Sequence, residues 1–205
     1  MKETVLAFDV DGVLLSSKSS WSTIHNYFGV NNGDSLRLYI ENRISYDEFV
    51  ERDVSLWLQK KGRIHYNDLL KISKDVIPNP NHEVLSEFLR KFSGKKIAIS
   101  GGVDIIVNRI KDFYPIDDVH SNKLIFKDGY LVGGKAYVEP SQKGKILRSY
   151  DGKKISVGDS SWDRDMFSNS DYSILFNSDE DIEGVDLIIR NNDLGNLTRA
   201  LNDLL

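Results

Sequence analysis

AFDVDGV, residues 7–13, places two acids one residue apart, followed by a glycine, at the end of an apolar run. That run, TVLAF (4–8), is typical of a short buried strand. Asp9 and Asp11 therefore stand where the strand ends, and Gly12 lets the chain turn away. Ligands of open parallel sheets bind outside the carboxyl ends of the strands. The stretch predicts the first core strand and part of a site at its end.

The segment after this strand has the pattern of helices. Apolar residues recur at roughly helical spacing in SYDEFVERDVSLWLQKK (45–61), and Ser45 with Glu48 has the form of a capping box. The pattern ends at PNPN (78–81), and no convincing strand lies within it. It predicts a helical insertion between the first and second strands.

From residue 82 onward, predicted helices and strands alternate along the chain. The predicted strands are KIAIS (96–100), a hairpin in KLIFKDGYLVGG (123–134) around Asp128-Gly129, KISVG (154–158), YSILF (172–176) and VDLII (185–189). The predicted helices are 82–94, 103–114, 141–150, one that starts after 158, and 193–205. This alternation predicts an α/β fold with a parallel sheet and helices on both of its faces.

The composition of the 205 residues argues against several classes of protein. A formal net charge of -4 argues against a binder of nucleic acid or of anionic membranes. The absence of cysteine excludes disulfides, a thiolate nucleophile and cysteine-ligated metals. No apolar run approaches the ~20 residues of a membrane span, and the first residues lack the pattern of a signal peptide. We therefore expect a cytoplasmic protein.

Small polar and acidic residues follow two further predicted strands. Ser100, Gly101 and Gly102 follow KIAIS, and Asp159 follows KISVG with Asp163 four residues later. Taken singly, such residues are typical of turns and helix caps. Carboxylates gathered at one sheet edge would resist ionising beside one another. Mg²⁺, which takes carboxylate and phosphate oxygens as ligands, would remove that repulsion.

Such a cluster is suited to phosphoryl chemistry. Asp9 can attack phosphorus and form an aspartyl-phosphate. Asp11 can protonate the leaving oxygen and later activate the hydrolytic water. Ser100 and the Gly101 amide can hydrogen-bond phosphate oxygens, because small residues let the backbone approach closely. A lysine would neutralise charge on the transferring group.

The order of these features resembles the four motifs of the haloacid dehalogenase (HAD) superfamily. The motifs are carried by DVDGV (9–13), Ser100, Lys143 and GDSSWD (158–163), and they span nearly the whole chain. SGGVDIIVNRI (100–110), NKLIFKDGYLVG (122–133) and QKGKIL (142–147) are similar to its phosphoserine phosphatase branch. The resemblance implies a Rossmann-like HAD core, residues 1–15 and 77–205, with a small helical cap, residues 16–76, inserted after the first strand.

The resemblance also implies roles for the first two motifs. Asp9 would be the nucleophile and a Mg²⁺ ligand. Asp11 would be the general acid and base, and would bind the metal through its backbone carbonyl. Ser100 would hold the phosphate with the Gly101 amide beside it, and Gly102 would lie next to the substrate.

The last two motifs carry the remaining implied roles. Lys143 would stabilise the phosphorylated aspartate, since Lys145 falls outside the register of the motif. Asp159 would be a metal ligand, and Asp163 would orient a metal-bound water. Asp165 falls nearly opposite on a helix, so we expect it to be solvated.

The chain departs from the phosphoserine phosphatase pattern where the substrate is bound. By register, Lys18 stands at the position of a glutamate that contacts the substrate ammonium, and Asp53 at that of an arginine that contacts its carboxylate. Trp162 replaces an asparagine, and Trp21 is a further candidate on the cap face. Because these charges are reversed, we expect phosphoserine to bind poorly.

The sequence therefore predicts a Mg²⁺-dependent phosphatase acting on a small phosphomonoester other than phosphoserine. Three alternatives stay open: a phosphoserine phosphatase proper, a phosphotransferase or phosphomutase, and a binding protein without activity. We expect no nucleic-acid or membrane partner, and the sequence leaves the oligomeric state open.

Overall fold

The computed structural model describes residues 3–205, and its centre is a seven-stranded sheet. The strands are β1 (Thr4–Phe8), β2 (Lys95–Val103), β3 (Asp118–Lys127), β4 (Tyr130–Lys135), β5 (Lys153–Gly158), β6 (Tyr172–Phe176) and β7 (Leu187–Ile189). Their order across the sheet is β4-β3-β2-β1-β5-β6-β7, and every neighbouring pair is parallel except the β3–β4 hairpin. The predicted α/β fold is confirmed.

Strand β1 lies in the middle of the sheet, which explains its unbroken apolar run. Leu6 and Phe8 belong to one hydrophobic cluster, and Val5 and Ala7 belong to another. Successive side chains of a strand point to opposite faces, so both faces of β1 are covered. The acids that follow β1 therefore emerge at the centre of the sheet edge.

Nine α-helices occur in the described residues. They are α1 (Ser20–Phe28), α2 (Gly33–Ile40), α3 (Tyr46–Lys61), α4 (Tyr66–Ser73), α5 (His82–Lys91), α6 (Asp104–Val107), α7 (Lys143–Arg148), α8 (Arg164–Phe167) and α9 (Leu194–Leu204). The helix predicted over 103–114 is only partly correct, because α6 is followed by a 3₁₀ segment, Asn108–Asp112. None of the helices within residues 3–205 combines the length and apolar character that a membrane span requires.

Helices α1–α4 form the helical insertion between β1 and β2. The capping box at the start of α3 is confirmed: Ser45 Oγ accepts from the Glu48 amide at 3.2 Å, and Glu48 accepts from the Ser45 amide at 2.9 Å. The division into a core, 1–15 and 77–205, and a cap, 16–76, stays a prediction. Residues 1 and 2 of the predicted core lie outside the described residues.

The helical insertion packs against the β3–β4 hairpin. The predicted turn is confirmed, since Asp128 and Gly129 have positive φ angles of 51° and 79°. Backbone hydrogen bonds join Tyr66 to Gly129 and Leu131 to Ile64, each 2.8 Å long. The hairpin therefore ties the insertion to one edge of the sheet.

Candidate active site

The carboxyl ends of β2, β1 and β5 lie side by side in the sheet and open into a cavity of about 250 Å³. Helices α1, α2 and α3 supply the opposite wall. All of the predicted catalytic, metal-binding and substrate-binding residues line this cavity except Asp163, which is fully buried. Motifs up to 150 residues apart in the chain therefore meet at one place.

Lys143 links two of the predicted acids. Its Nζ lies 3.0 Å from Asp9 Oδ1 and donates to Asp163 Oδ1 at 2.6 Å, and all three side chains are buried. Burial lowers the pKa of Lys143, but the carboxylates of Asp163 and Asp9 outweigh it and raise the pKa above its usual value. The lysine is therefore a permanent positive charge beside Asp9.

Three acids are close enough to share one cation. Asp9, Asp159 and Asp163 each offer a carboxylate oxygen, and these oxygens lie within 4.8 Å of one another. Burial raises the pKa of Asp9 well above its usual range; Lys143 opposes this shift, while neighbouring acids add to it. The acids therefore resist ionising together unless more positive charge is present.

The charge balance of this cluster suits a divalent cation. Among the described residues, the four predicted site acids are accompanied by two ammonium groups, those of Lys143 and Lys18, which contact Asp9, Asp163 and Asp159. Two carboxylates remain uncompensated, and their oxygens are the ligand type that Mg²⁺ prefers. Asp163 is better suited to positioning than to direct ligation, because its Oδ2 already accepts from the Asp159 amide at 3.0 Å.

Asp11 is held by a serine of the helical insertion. Its Oδ2 accepts from the amide and the hydroxyl of Ser20 at 2.9 and 2.8 Å, while its Oδ1 is buried without a hydrogen-bond partner. Burial raises the pKa of Asp11 to about 6. A Cβ on Gly102 would lie 2.3 Å from Ser20 Oγ, so the glycine permits this contact. The sequence could not single out Ser20 among the neighbouring serines.

The Gly101–Gly102 peptide is held at both ends. Its carbonyl oxygen accepts from Trp21 Nε1 at 2.9 Å, from Tyr46 Oη at 3.2 Å and from Asn122 Nδ2 at 2.7 Å. Its N–H donates to Ser100 Oγ at 3.0 Å, which leaves the serine's own hydrogen to donate elsewhere. The network fixes the backbone beside the predicted phosphate position.

Sequence patterns did not single out Tyr46 or Asn122, because neither lies in one of the four motifs. The predicted end of β2 at Ser100 is also wrong. The strand continues to Val103, with a register shift relative to β3 between Ile99 and Val103. Such an irregularity changes the direction in which the side chains of a strand point. Because β2 extends to Val103, the backbone of residues 100–102 in the site belongs to this strand.

Phosphoserine phosphatases are among the known proteins that share this architecture. The chain is 26% identical over 213 residues to a phosphoserine phosphatase of Methanocaldococcus jannaschii, which covers 98% of both proteins. The structure of a phospho-aspartyl intermediate analogue of phosphoserine phosphatase matches with a TM-score of 0.78 and 25% identity, covering 98% of this chain and 99% of that one. No protein-family model matches the chain.

The chain is therefore similar to phosphoserine phosphatases over nearly its whole length, in sequence and in fold. A HAD family hydrolase of Salmonella enterica serovar Typhi shares the fold, with a TM-score of 0.80 at 18% identity over 98% of this chain and 72% of that one. Conservation of the fold at such low identity leaves room for different side chains around the substrate.

The ammonium of Lys18 lies beside the acids of the site. Its Nζ donates to Asp159 Oδ2 at 2.8 Å and to the carbonyl oxygen of Asn177 at 2.5 Å. Gly12, with φ of 75°, makes room for the pair, because a Cβ there would lie 2.1 Å from Asp159 Oδ2. Lys18 lines the cavity, and the expectation that it binds substrate stays a prediction.

Asp53 connects three helices of the insertion. Its Oδ2 accepts from His25 Nε2 at 3.1 Å and from Asn32 Nδ2 at 2.9 Å, and its Oδ1 accepts from Ser35 Oγ at 3.2 Å. Its side chain is only 2% exposed, although the residue borders the cavity. Asp53 thus has a structural role that the register alone did not reveal.

Trp162 extends the site towards the helical insertion. Its side chain is partly exposed and stacks on Tyr39 of α2, with ring centroids 6.3 Å apart and planes 13° apart. The expectation that Asp165 is simply solvated is wrong. Its Oδ2 accepts from the Gly144 amide at 2.6 Å and so fixes the first turn of α7, which carries Lys143.

Proposed function

We propose that the protein hydrolyses a small phosphomonoester in a Mg²⁺-dependent reaction through an aspartyl-phosphate on Asp9. The observation that carries the proposal is the position of Asp9, which adjoins two further acids and the ammonium of Lys143 at the end of β1. A relative of the same fold has been solved as a phospho-aspartyl intermediate analogue, which supports this choice of intermediate.

In this reaction a carboxylate oxygen of Asp9 bonds to phosphorus while the ester P–O bond breaks. Asp11 gives its proton to the leaving alkoxide and then takes one from the water that cleaves the aspartyl-phosphate. A buried carboxyl with a pKa of about 6 can act as an acid and as a base near neutral pH. Lys143 and Ser100 bind the phosphoryl oxygens.

Asp9 and Asp159 would hold the Mg²⁺ ion directly, and Asp163 would position its ligands. When bound, the ion supplies the positive charge that the acidic cluster lacks, and it neutralises part of the charge on the phosphate. The fit rests on the three carboxylate oxygens that lie within 4.8 Å of one another.

We propose that the helical insertion acts as a cap over this reaction. Trp21 and Tyr46 reach from the insertion to the Gly101 carbonyl, and Ser20 reaches to Asp11. These contacts support a closed arrangement that keeps bulk water from the reacting groups.

We propose a substrate other than phosphoserine, although two of the similar proteins are phosphoserine phosphatases. The ammonium of Lys18 lies on Asp159, and Asp53 places a carboxylate on the insertion side of the cavity. Among the described residues, no arginine lines the cavity. A substrate carboxylate would therefore meet a negative charge without a cationic partner.

The reaction is tested with Asp9→Asn, which keeps the shape of the side chain but removes the nucleophile. We expect phosphate release from a panel of phosphomonoesters to fall by at least about a thousandfold, with an unchanged melting temperature. Asp128→Asn makes the same chemical change at the exposed hairpin turn and should leave activity as it is. EDTA should abolish activity and Mg²⁺ restore it. Retained activity in Asp9→Asn would exclude the proposed nucleophile.

A further inference from the structure

The cavity has two chemically different ends. We call the side of Asp9, Asp11 and Asp159 the acidic end. The rings of Trp21, Tyr46, Phe49 and Trp162 also line the cavity, with Leu36, and we call this part of the lining the aromatic end. If phosphate binds at the acidic end, the leaving group of the substrate lies at the aromatic end.

The rings of the aromatic end support one another. Tyr39, behind the wall, stacks on Phe49 with centroids 5.3 Å apart, on Trp162 at 6.3 Å, and contacts Tyr46 at 5.3 Å. Trp21 is fixed separately by its hydrogen bond to Gly101 and by Trp57, 5.5 Å away. The aromatic end is thus a preformed surface, and ring faces attract cations.

A negative charge that lacks a cationic partner adjoins the same end. Trp57 Nε1 carries a hydrogen and can only donate, and it donates to His25 Nδ1 at 2.8 Å. His25 Nδ1 therefore carries no proton, and the neutral ring donates from Nε2 to Asp53. The other partners of Asp53, Asn32 and Ser35, are also neutral. The carboxylate of Asp53 thus has no cationic partner among these contacts, and it borders the same cavity as the aromatic rings.

The ammonium groups of the cavity lie at its acidic end. Lys143 contacts Asp9 and Asp163, and Lys18 contacts Asp159. In the described part of the chain, no other lysine or arginine lines the cavity. The aromatic end therefore combines π faces with net negative charge, the two features that favour a bound cation.

We propose that this end takes a positively charged leaving group, so that the substrate is a small O-phosphorylated amino alcohol with an ammonium or quaternary ammonium group and no carboxylate. The inference rests on the proposed phosphatase activity and specifies its substrate class. A neutral aromatic ester could also stack on the rings, but it would have no electrostatic attraction to the carboxylate of Asp53. The cavity of about 250 Å³ suits a molecule of this size.

Two probes isolate the charge of the leaving group. Phosphocholine and 3,3-dimethylbutyl phosphate have nearly the same shape, but only phosphocholine carries a positive charge. We expect kcat/KM of the wild-type protein to be at least about tenfold higher for phosphocholine, as a cation–π contact in a desolvated site implies. Phosphoserine should be poorer than phosphocholine. Equal rates on the two isosteres, or faster hydrolysis of phosphoserine or phenyl phosphate, would overturn the inference.

Substitutions of the rings test whether the aromatic end recognises the positive charge of the leaving group. Trp162→Leu should lower the ratio of kcat/KM for phosphocholine to that for 3,3-dimethylbutyl phosphate by about fivefold or more. Phe49→Leu is a second variant with a smaller change in volume and the same expected direction. Tyr27→Leu removes an exposed ring outside the cavity and should leave the ratio unchanged. An unchanged ratio in both cavity variants would contradict the assignment.

Acetyl phosphate separates failure of this inference from failure of the proposed function. Its small acetyl group tests the chemistry of the acidic end without requiring the aromatic end. Hydrolysis of acetyl phosphate without hydrolysis of phosphocholine would reject the substrate class and keep the proposed function. Absence of Mg²⁺-dependent hydrolysis of both probes would reject the proposed function itself, and the inference with it.

Discussion

At the scale of single residues, the position of Lys18 bears on metal binding. Its ammonium lies 2.8 Å from Asp159, one of the acids expected to hold Mg²⁺. A lysine so placed neutralises part of the charge that would attract the metal. The side chain is more than half exposed, so solvent weakens but does not remove this effect.

Removing the ammonium should therefore strengthen metal binding. We expect Lys18→Met to bind Mg²⁺ about three- to tenfold more tightly than the wild-type protein, because a like charge has been removed a few ångströms from the metal position. Isothermal titration with Mg²⁺ measures this directly, without turnover. Lys18→Arg retains the charge and is the matched control. Equal or weaker Mg²⁺ affinity in Lys18→Met would show that the lysine does not oppose the metal.

At the scale of elements, the residue at which α3 begins determines the position of the Tyr46 side chain. The capping box of Ser45 and Glu48 fixes the first turn, and the first residue of the helix is Tyr46. The hydroxyl of Tyr46 contacts the Gly101 carbonyl and accepts from Asn122 Nδ2 at 3.0 Å. A helix that began elsewhere would move this ring away from the site backbone.

Ser45→Ala should lower the free energy of unfolding by about 1 kcal/mol at pH 7, the usual cost of losing a serine cap. Hydrogen bonds from Ser45 hold the pKa of Glu48 below its ordinary value of 4.5. This contribution is present above pH 4.5 and is lost as the pH falls through the lower folded-state value. Urea unfolding should therefore show a smaller difference from the wild type at pH 3.

Ser55→Ala is the matched control for this measurement. Ser55 is an exposed serine within α3 whose hydroxyl donates to the Glu51 carbonyl, so its removal should be nearly neutral or slightly stabilising. Equal effects of the two substitutions would mean that the capping box does not stabilise the start of the helix.

At the scale of the whole molecule, the aromatic end depends on how the helical insertion rests on the sheet. Helix α3 packs against β4 at Gly134, where a Cβ would lie 2.9 and 3.0 Å from side-chain atoms of Val54 and Val50. A side chain at this position would push α3 outward. Because α3 also carries Tyr46 and Phe49, the shape of the cavity would change with it.

Gly134→Val should destabilise the protein by about 1–3 kcal/mol, the range for overpacking a close contact, and should lower kcat/KM. Gly133→Val is the matched control in the same strand, since nothing lies within 4 Å of a Cβ built there. Chemical unfolding and steady-state kinetics measure the two effects. Similar behaviour of the two variants would show that the contact between α3 and β4 does not position the insertion.

Local sequence patterns were sufficient for most elements of this fold. The runs TVLAF and YSILF coincide with β1 and β6, and the Asp128-Gly129 turn has the positive φ angles that this dipeptide favours. These features depend on periodicity and turn chemistry within a few residues. The predicted end of β2 failed because its continuation depends on pairing with β3, a partner distant in sequence.

The order of residues along the chain is enough to predict acidic side chains at the ends of neighbouring strands. Asp9, Asp11 and Asp159 follow apolar strands, and adjacent parallel strands bring their carboxyl ends to one edge whatever the details of packing. The partner of Lys18, the neutral donors around Asp53 and the rings at the aromatic end became apparent only from the folded structure. These contacts join residues from separate helices and loops. Their geometry follows from how the helical insertion packs on the sheet, which no local pattern specifies.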